Sequence, residues 1–355
     1  MPFIIDTAPL RLPHWSRQSE LKDFAKNLFS EVYKDIDRLL EVFDNTGIES
    51  RNLCVPVEFF KQNISFSKKN KIYQDLALTY SIQVIEDLLK KTNVRKEQIT
   101  DLIFVSSTGL ATPGIDASII NDMKLNDNVR RTPIWGLGCA GGVSGIEKAY
   151  LTAKALPESL VLLVCVELCS LTFIKNDLSK SNFVATSLFS DGVCACLIAG
   201  DLAFKELKTE CRIEILDTKS KLYPDSRDVM GWEIIDEGLK VVFSQSIPSI
   251  VEANVRNDIT DFLSGHELEL GDLKNFIVHP GGTKVIQAYE KALDLKEDDL
   301  FYSKKIIREN GNMSSATVLY ILNEFIMNGM KEEYGLLMAL GPGFSSSSVL
   351  VKVNT

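Results

Sequence analysis

Three residues of different types, Cys139, His279 and Asn312, lie where polar or glycine-rich segments interrupt otherwise apolar elements. Cys139 follows an apolar, extended segment and precedes a predicted helix over residues 143–156. A cysteine at a helix N-terminus meets the positive end of the helix dipole, which lowers its pKa and favours the nucleophilic thiolate. His279 follows a short predicted strand, and Asn312 directly precedes a predicted helix. Each residue alone also has an ordinary structural interpretation, as a buried thiol, a turn histidine and a helix N-cap.

Together the three residues suit the chemistry of acyl transfer. A thiolate at Cys139 can accept an acyl group from a thioester, and an imidazolium at His279 would keep that thiolate charged. N–H donors of His279 and Asn312 can also stabilise the enolate formed when a malonyl thioester loses carbon dioxide, as an oxyanion hole does. A cysteine protease uses the same residue types, with asparagine orienting the histidine, and sequence spacing alone does not separate the two chemistries.

Alternating strands and helices must hold these residues in place. Apolar residues at three- and four-residue steps predict helices, whereas short continuous apolar runs predict strands that are buried on both faces. The predicted helices cover residues 20–45, 70–90, 143–156, 246–263, 283–293 and 315–327. The predicted strands cover residues 101–107, 160–166, 193–199, 212–217, 276–278, 334–339 and 347–353. This pattern indicates an α/β protein with helices on both faces of the sheet and two halves, residues 1–201 and 202–355.

Composition excludes several classes of function. The 355 residues carry a formal net charge of −9, which argues against nucleic acid and anionic membranes as general partners. No signal peptide is apparent, and the longest apolar runs are too short to span a bilayer. Seven cysteines without CxxC spacing argue against a disulfide framework or zinc site, and three histidines disfavour a multi-histidine metal site. We therefore expect a cytoplasmic protein without a bound metal.

Four motifs in this order resemble the type III polyketide synthases, the chalcone synthase-like branch of the thiolase superfamily. They are Trp135–Gly142 (WGLGCAGG), His279–Gly282 (HPGG), Gly311–Ala316 (GNMSSA) and Gly341–Gly343 (GPG). The resemblance extends from about residue 20 to the C-terminus. It implies a thiolase-like αβαβα layered fold with two duplicated halves, the first carrying the cysteine and the second the histidine and asparagine. It also implies a homodimer.

The resemblance assigns a role to each motif residue. By the family pattern Cys139 is the acyl-carrying nucleophile, while His279 and Asn312 promote decarboxylation and stabilise the enolate. The substrates are acyl-CoA and malonyl-CoA, and no tightly bound cofactor is expected. Positions expected to contact coenzyme A are Arg51, Gly281 and Lys284. Positions expected to line the substrate cavity are Thr112, Cys169, Thr172, Phe189, Val241 and Ser314.

Several cavity positions carry information about the substrate. Phe189 resembles the family's gatekeeper. The second aromatic gatekeeper of plant members falls on or beside Val241-Val242-Phe243, with Val241 in the preferred register, so this wall looks opened or rebuilt. Cys169 and Thr172 are small, as in bacterial alkylpyrone and alkylresorcinol synthases, in which a small residue opens a tunnel for a long acyl chain. Cys169 also has the alternative of a plain core cysteine. Thr112 resembles the residue that reaches across the dimer interface into the partner's cavity.

The expected function is iterative decarboxylative condensation of a long-chain acyl-CoA with malonyl-CoA, or methylmalonyl-CoA, to give alkylpyrones or alkylresorcinols. A ketoacyl synthase III shares the three residue types but stops after one condensation, and the HPGG and GPG motifs argue against it. A degradative thiolase needs a second catalytic cysteine near the C-terminus, whereas the last cysteine here is Cys211. A non-catalytic acyl-CoA-binding protein is a third alternative.

Overall fold

The strands and helices come from a computed structural model, which describes residues 1–30, 33–207, 209 and 213–354. The strands are β1 (Phe3–Pro9), β2 (His14–Arg17), β3 (Ser50–Leu53), β4 (Asp101–Val105), β5 (Arg130–Ile134), β6 (Leu160–Leu168), β7 (Asp191–Ala199), β8 (Ile213–Leu222), β9 (Met230–Ile235), β10 (Gly238–Phe243), β11 (Leu273–Val278), β12 (Glu333–Gly341) and β13 (Ser345–Val353). The helices are α1 (Gln18–Phe29), α2 (Ile36–Asn45), α3 (Phe66–Thr92), α4 (Ile115–Met123), α5 (Gly141–Ala155), α6 (Lys180–Leu188), α7 (Asp201–Glu206), α8 (Ile247–Ser264), α9 (Thr283–Leu293), α10 (Phe301–Asn310) and α11 (Thr317–Asn328). Three sequence predictions fall partly outside the described residues, namely Cys211, residue 212 of the strand 212–217, and residues 31–32 of the helix 20–45.

One mixed sheet runs through the described part of the chain, in the strand order β11-β12-β13-β8-β1-β7-β6-β4-β5. β4 pairs in parallel with β5 and β6, and β11 pairs in parallel with β12. The other neighbouring pairs are antiparallel. β1 joins the two halves, because Phe3 pairs with Ala199 of β7 and Ile4 pairs with Ile213 of β8.

Helices α5 and α11 lie between the two halves of the sheet. α5 packs against β4, β6 and β7 on one side and against β12 and β13 on the other. α11 contacts β1 and β7 as well as β11 and β12. α3 and α4 cover the outer face of the first half, and α8 and α9 cover that of the second. The layers therefore follow the predicted αβαβα order. The predicted boundary between residues 201 and 202 falls within α7, and the division into two halves at that point stays a prediction.

The central strands are buried along their whole length, as their apolar sequences predict. Every residue of β6 and β7 is buried, which confirms the predicted strands 160–166 and 193–199. Strands with helices on both faces have no polar side to alternate with, so their sequences are continuously apolar. Two carboxylates interrupt this apolar pattern: Asp191 at the start of β7 and Glu167 inside β6 are both fully buried.

The prediction of a single helix over residues 20–45 is wrong, because two helices, α1 and α2, take its place. The apolar periodicity runs through both helices because both bury their apolar faces in one cluster. That cluster contains Phe29 of α1, Phe43 of α2 and Phe183 of α6. Sequence reasoning also missed β1, whose seven residues include Asp6 and Pro9, and the two-stranded sheet of β9 and β10.

Two glycines let the start of α5 approach its neighbours closely, Gly142 against the segment that precedes α11 and Gly141 against β4. A Cβ on Gly142 would lie 2.3 Å from the carbonyl oxygen of Ser315, and one on Gly141 would lie 2.6 Å from Val105 Cγ1. Both distances are shorter than any real Cβ contact, so only glycine fits. The two segments that touch here carry Cys139 and Asn312, and the close approach therefore brings these residues together. Among the described helices, none is long and apolar enough to cross a membrane.

Candidate active site

Cys139, His279 and Asn312 come from three separate junctions and line one cavity. Cys139 lies in a 3-10 turn directly before α5, His279 follows β11, and Asn312 lies between α10 and the 3-10 turn before α11. All three side chains are buried. The cavity is narrow and is called the inner cavity below. Its lining residues are Cys139, Met230, Phe243, Ile247, His279, Gly281, Val285, Tyr289, Asn312 and Leu340.

The side-chain amide of Asn312 is held in one orientation by two backbone groups. Its Oδ1 accepts a hydrogen bond from the Ser314 N–H at 2.9 Å, and its Nδ2 donates to the Gly281 carbonyl at 2.8 Å. A flipped amide would place a donor against the Ser314 N–H, so the orientation follows from the network. The Cys139 Sγ lies 4.0 Å from the same Oδ1. One N–H of the amide is left for a ligand, because Nδ2 has two hydrogens.

Burial controls the ionisation of Cys139 and His279. It raises the pKa of the Cys139 thiol to about 12 and lowers the pKa of the His279 imidazole to about 3. The neutral thiol and the neutral imidazole are therefore the stable forms. This direction is opposite to the lowered cysteine pKa that a helix N-terminus predicts, because desolvation of a fully buried sulfur outweighs the helix dipole.

Glu167 is a site residue that the sequence prediction did not single out. Its carboxylate accepts hydrogen bonds from the Ser107 N–H at 3.1 Å and from the Ser315 hydroxyl at 2.6 Å, with the Ser314 hydroxyl at 3.4 Å. Burial raises its pKa to about 7, although these donors favour the ionised form. The signal that could have identified it is a single carboxylate within the apolar run Leu160–Leu168.

Two further cavities continue from the inner cavity. The middle cavity is lined by Gly138, Cys139, Cys169, Phe189, Met230, Gly231, Trp232, Val241, Val242, Phe243, Ser314 and Pro342. The outer cavity is lined by Leu21, Phe24, Arg51, Leu53, Val57, Phe60, Cys169, Ser170, Thr172, Phe173, Asn182, Ala185, Thr186, Phe189, Trp232, Leu239 and Val241. Adjacent cavities share lining residues, so the three form a row that begins at His279 and passes Cys139.

Aromatic side chains surround Phe189 where the middle and outer cavities meet. The Phe189 ring centroid lies 6.4 Å from that of Phe243, edge to face, and 6.4 Å from that of Trp232. Val241 and Phe243 are two residues apart on β10 and so project from the same face of the strand. Phe243 and Trp232 are thus the aromatic neighbours of Phe189, and the opened or rebuilt wall at Val241 stays a prediction.

Sequence comparison identifies the family. The family profile described as chalcone and stilbene synthases, N-terminal domain, matches residues 49–202, and the C-terminal domain profile matches residues 214–354. A putative chalcone synthase of Bacillus subtilis (strain 168) is 42% identical over 99% of this chain and 98% of its own length. The chain belongs to the chalcone and stilbene synthase family.

Other comparisons agree with this family. A 1,3,6,8-tetrahydroxynaphthalene synthase of Streptomyces peucetius subsp. caesius is 32% identical over 96% of this chain and 90% of its own length. The crystal structure of the 1,3,6,8-tetrahydroxynaphthalene synthase of Streptomyces coelicolor, a bacterial type III polyketide synthase, matches with a TM-score of 0.93. That match covers 99% of each chain at 26% identity. The chain is thus a type III polyketide synthase, an acyltransferase-type condensing enzyme that uses coenzyme A thioesters and needs no tightly bound cofactor.

Two of the positions expected to contact coenzyme A have a structural role inside this polyketide synthase, and their contact with coenzyme A stays a prediction. Arg51 is only 3% exposed, and its Nη1 donates to the carbonyls of Thr186 and Phe189. It thereby caps the C-terminal end of α6, where a positive charge is favourable. Gly281 faces the inner cavity and holds Asn312 through its carbonyl. Sequence position alone could not show that either residue points inward.

The remaining predicted positions differ in their surroundings. Lys284 is exposed near the start of α9 and lines none of the three cavities, so its contact with coenzyme A stays a prediction. Thr112 is also exposed and lies outside the cavities of its own subunit. Ser314 lines the middle cavity, Thr172 lines the outer cavity, and Cys169 lines both. No group of three or more potential metal ligands occurs among the described residues.

The raised pKa of Glu167 predicts a pH-dependent stability. From its ordinary value of 4.5 the pKa rises to about 7, so the folded chain binds this proton more tightly than the unfolded chain. The free energy of unfolding should therefore fall as pH rises from 4.5 to 7 and level off above 7. Glu167→Gln keeps a hydrogen-bond acceptor and removes the titration. From pH 5 to pH 8, the free energy of unfolding of this variant should therefore rise by roughly 3 kcal/mol relative to that of the parent, as measured by chemical denaturation.

The exposed Glu206→Gln variant is the matched control, since it removes the same charge from the surface. If the free energies of unfolding of both variants change equally with pH relative to that of the parent, Glu167 does not titrate in this range.

Proposed function

We propose that this polyketide synthase loads a long-chain acyl group from acyl-CoA onto Cys139 and extends it with malonyl-CoA by repeated decarboxylative condensation. The products are alkylpyrones or alkylresorcinols. The observation that carries the proposal is the row of three cavities that starts at the buried thiol and continues into a mostly apolar space.

Loading begins with the neutral pair described above. The thiol proton of Cys139 moves to His279 as the sulfur attacks the thioester carbonyl carbon, and the bond from that carbon to the coenzyme A sulfur breaks. The leaving thiolate takes the proton back from the imidazolium. A cavity that excludes water favours this concerted transfer, because a lasting ion pair there would pay the full desolvation cost. Loading thus ends with a thioester on Cys139 and a neutral His279.

Extension uses His279 and Asn312 as hydrogen-bond donors. The thioester oxygen of malonyl-CoA accepts the imidazole N–H and the remaining N–H of the Asn312 amide. The bond to the carboxylate carbon breaks, carbon dioxide leaves, and the electron pair forms an enolate stabilised by both donors. The enolate carbon attacks the carbonyl carbon of the Cys139 thioester, and the bond from that carbon to the cysteine sulfur breaks. The released thiolate takes one proton from solution, which balances the decarboxylation. The lengthened chain is now a coenzyme A thioester, and it is transferred back to Cys139 for the next round. A neutral histidine suits this step because its N–H can donate a hydrogen bond to the thioester oxygen, and the buried cavity then holds no charged imidazole.

The acyl chain of the starter would extend from Cys139 through the middle cavity into the outer cavity. The side chains that make the outer cavity apolar are those of Leu21, Phe24, Leu53, Val57, Phe60, Phe173 and Leu239. Each methylene transferred from water into such a space contributes about 0.8 kcal/mol, so a long acyl chain gains far more than an acetyl group. Cys169 and Thr172 belong to this path because their small side chains leave it open.

We also propose that the enzyme is a homodimer. β5 is the last strand at one edge of the sheet, with exposed residues along Arg130–Pro133 and the half-exposed Trp135 just beyond. An unpaired edge strand offers its backbone groups to another chain. Thr112 is exposed, outside its own cavities, and would reach the cavity of the partner subunit.

Product analysis tests the reaction. The purified enzyme is incubated with radiolabelled malonyl-CoA and acyl-CoA starters from acetyl to stearoyl, and products are identified by mass. We expect tri- and tetraketide products that carry long alkyl chains, and no product from Cys139→Ala. A single β-keto product would indicate a ketoacyl synthase III type of enzyme. Formation of 1,3,6,8-tetrahydroxynaphthalene from malonyl-CoA alone, the product that names two relatives, would also contradict the proposal. Absence of any product would support the non-catalytic alternative.

Cys169→Phe tests the path of the acyl chain. A phenyl ring where the middle and outer cavities meet should obstruct long chains, since overpacking costs about 1–3 kcal/mol. The kcat/KM for palmitoyl-CoA should fall about tenfold to a hundredfold relative to that for acetyl-CoA. Cys169→Ala, which keeps the path open, is the matched control. An unchanged preference in Cys169→Phe would show that the acyl chain lies elsewhere.

Thr112→Trp tests the dimer and its shared cavity. Light scattering of the parent should give twice the chain mass of 39.6 kDa. If Thr112 enters the partner's cavity, the larger tryptophan should reduce the length of the polyketide product. The substitution leaves the cavities of its own subunit unchanged. A monomeric parent, or an unaltered product from a dimeric variant, would contradict this arrangement.

A further inference from the structure

Tyr289 is a buried tyrosine of the inner cavity whose hydroxyl has no hydrogen-bond partner among the described residues. Its side chain is 0% exposed. The apolar neighbours Ile247, Val285 and Leu340 line the same cavity and offer this hydroxyl nothing to bond. A buried hydroxyl without a partner is costly, so a phenylalanine would suit these walls better unless the hydroxyl binds something in the cavity.

Tyr289 and His279 line the same inner cavity, and helix geometry favours a phenol that leans towards His279. α9 starts at Thr283, shortly after His279, and Tyr289 lies on its second turn. Side chains of a helix lean towards its N-terminus, which here is the turn that carries His279. Burial raises the pKa of Tyr289, so the phenol keeps its proton and acts as a donor.

His279 needs a partner of this kind. Neither of its ring nitrogens has a hydrogen-bond partner in the described part of the chain. A neutral imidazole carries one proton, and the group bonded to one nitrogen decides whether the other is the donor. The role proposed for His279 requires an N–H that points at the substrate, so the second nitrogen must be kept as an acceptor.

We propose that Tyr289 is a positioning residue that fixes the tautomer of His279 through one bound water. The phenol donates to the water, and the water donates to Nδ1, which keeps the proton on Nε2 for the thioester oxygen. A water in a small polar site is stable when it has two or more partners, and Tyr289 and His279 supply them. This inference rests on the proposed donor role of His279.

The tautomer can be measured directly, because the chain contains only three histidines, His14, His266 and His279. The experiment records imidazole 15N spectra of protein labelled at histidine, with His14→Gln and His266→Gln used for assignment. In the parent, His279 should show one protonated nitrogen, Nε2, and one unprotonated nitrogen, Nδ1. In Tyr289→Phe the two nitrogens should move towards intermediate shifts, because both tautomers become populated.

Tyr150→Phe is the matched control, since its buried hydroxyl bonds to the Leu216 carbonyl away from the site. That variant should leave the His279 signals unchanged. Identical His279 signals in Tyr289→Phe and the parent, or an Nδ1–H form in the parent, would overturn the proposal.

Kinetics provide a second readout. Tyr289→Phe should lower kcat for malonyl-CoA decarboxylation about fivefold to tenfold and leave KM nearly unchanged, because the hydrogen bond acts on the reacting histidine and not on binding. A lowered kcat with an unchanged tautomer would overturn the positioning role. The spectra need no turnover, so they test Tyr289 even if the products refute the proposed function.

Discussion

Contact between the start of α5 and the segment before α11 positions the reacting groups of this enzyme. The two glycines at the start of α5 leave no side chain between these segments, and the backbone of one lies directly on the other. Cys139 and Asn312, which belong to different halves of the chain, are consequently held within 4.0 Å, sulfur to amide oxygen. Glu167 reinforces the contact from β6, because it binds the Ser107 N–H of the first half and the Ser315 hydroxyl of the second. A shift of either half would therefore separate the thiol from the amide.

The same close packing keeps bulk water out, and this affects the chemistry. Burial raises the pKa of Cys139 and lowers that of His279, which favours the neutral form of each. Loss of a carboxylate charge is favoured in apolar surroundings, and an enolate shielded from bulk water is protected from protonation. The Asn312 amide needs no rearrangement to act as a donor, since Gly281 and Ser314 already hold it. Preorganised donors of this kind are the most effective part of an oxyanion hole.

Sequence reasoning found what local pattern can reveal. Cys139, His279 and Asn312 each lie at a junction between a regular element and a turn, and the apolar strands β6 and β7 have a clear signature. It failed where the outcome depends on distant residues. Arg51 occupies a family position, but nothing in its neighbourhood shows that its guanidinium turns inward to cap α6.

The sequence also did not predict the roles of several other residues, because these roles depend on tertiary contacts. Tyr289 fits the apolar periodicity of α9, which indicates a buried side chain but not an unpaired hydroxyl. The place of Phe243 beside Phe189 follows from the face of β10, and β10 itself was not predicted. The apolar periodicity of α1 and α2 indicates that both helices pack into one cluster, but it does not show where the first helix ends and the second begins.

The position of β1 also constrains how the protein is made. Its residues leave the ribosome long before β7 and β8, yet it pairs with both, at residues 194–199 and 213–214. During synthesis this apolar segment must wait, unpaired, until more than half of the chain has emerged. The two halves cannot join in the middle of the sheet before then, because β1 is the strand between them. Contacts this distant in sequence delay folding, so β1 is among the last of the described strands to find its neighbours.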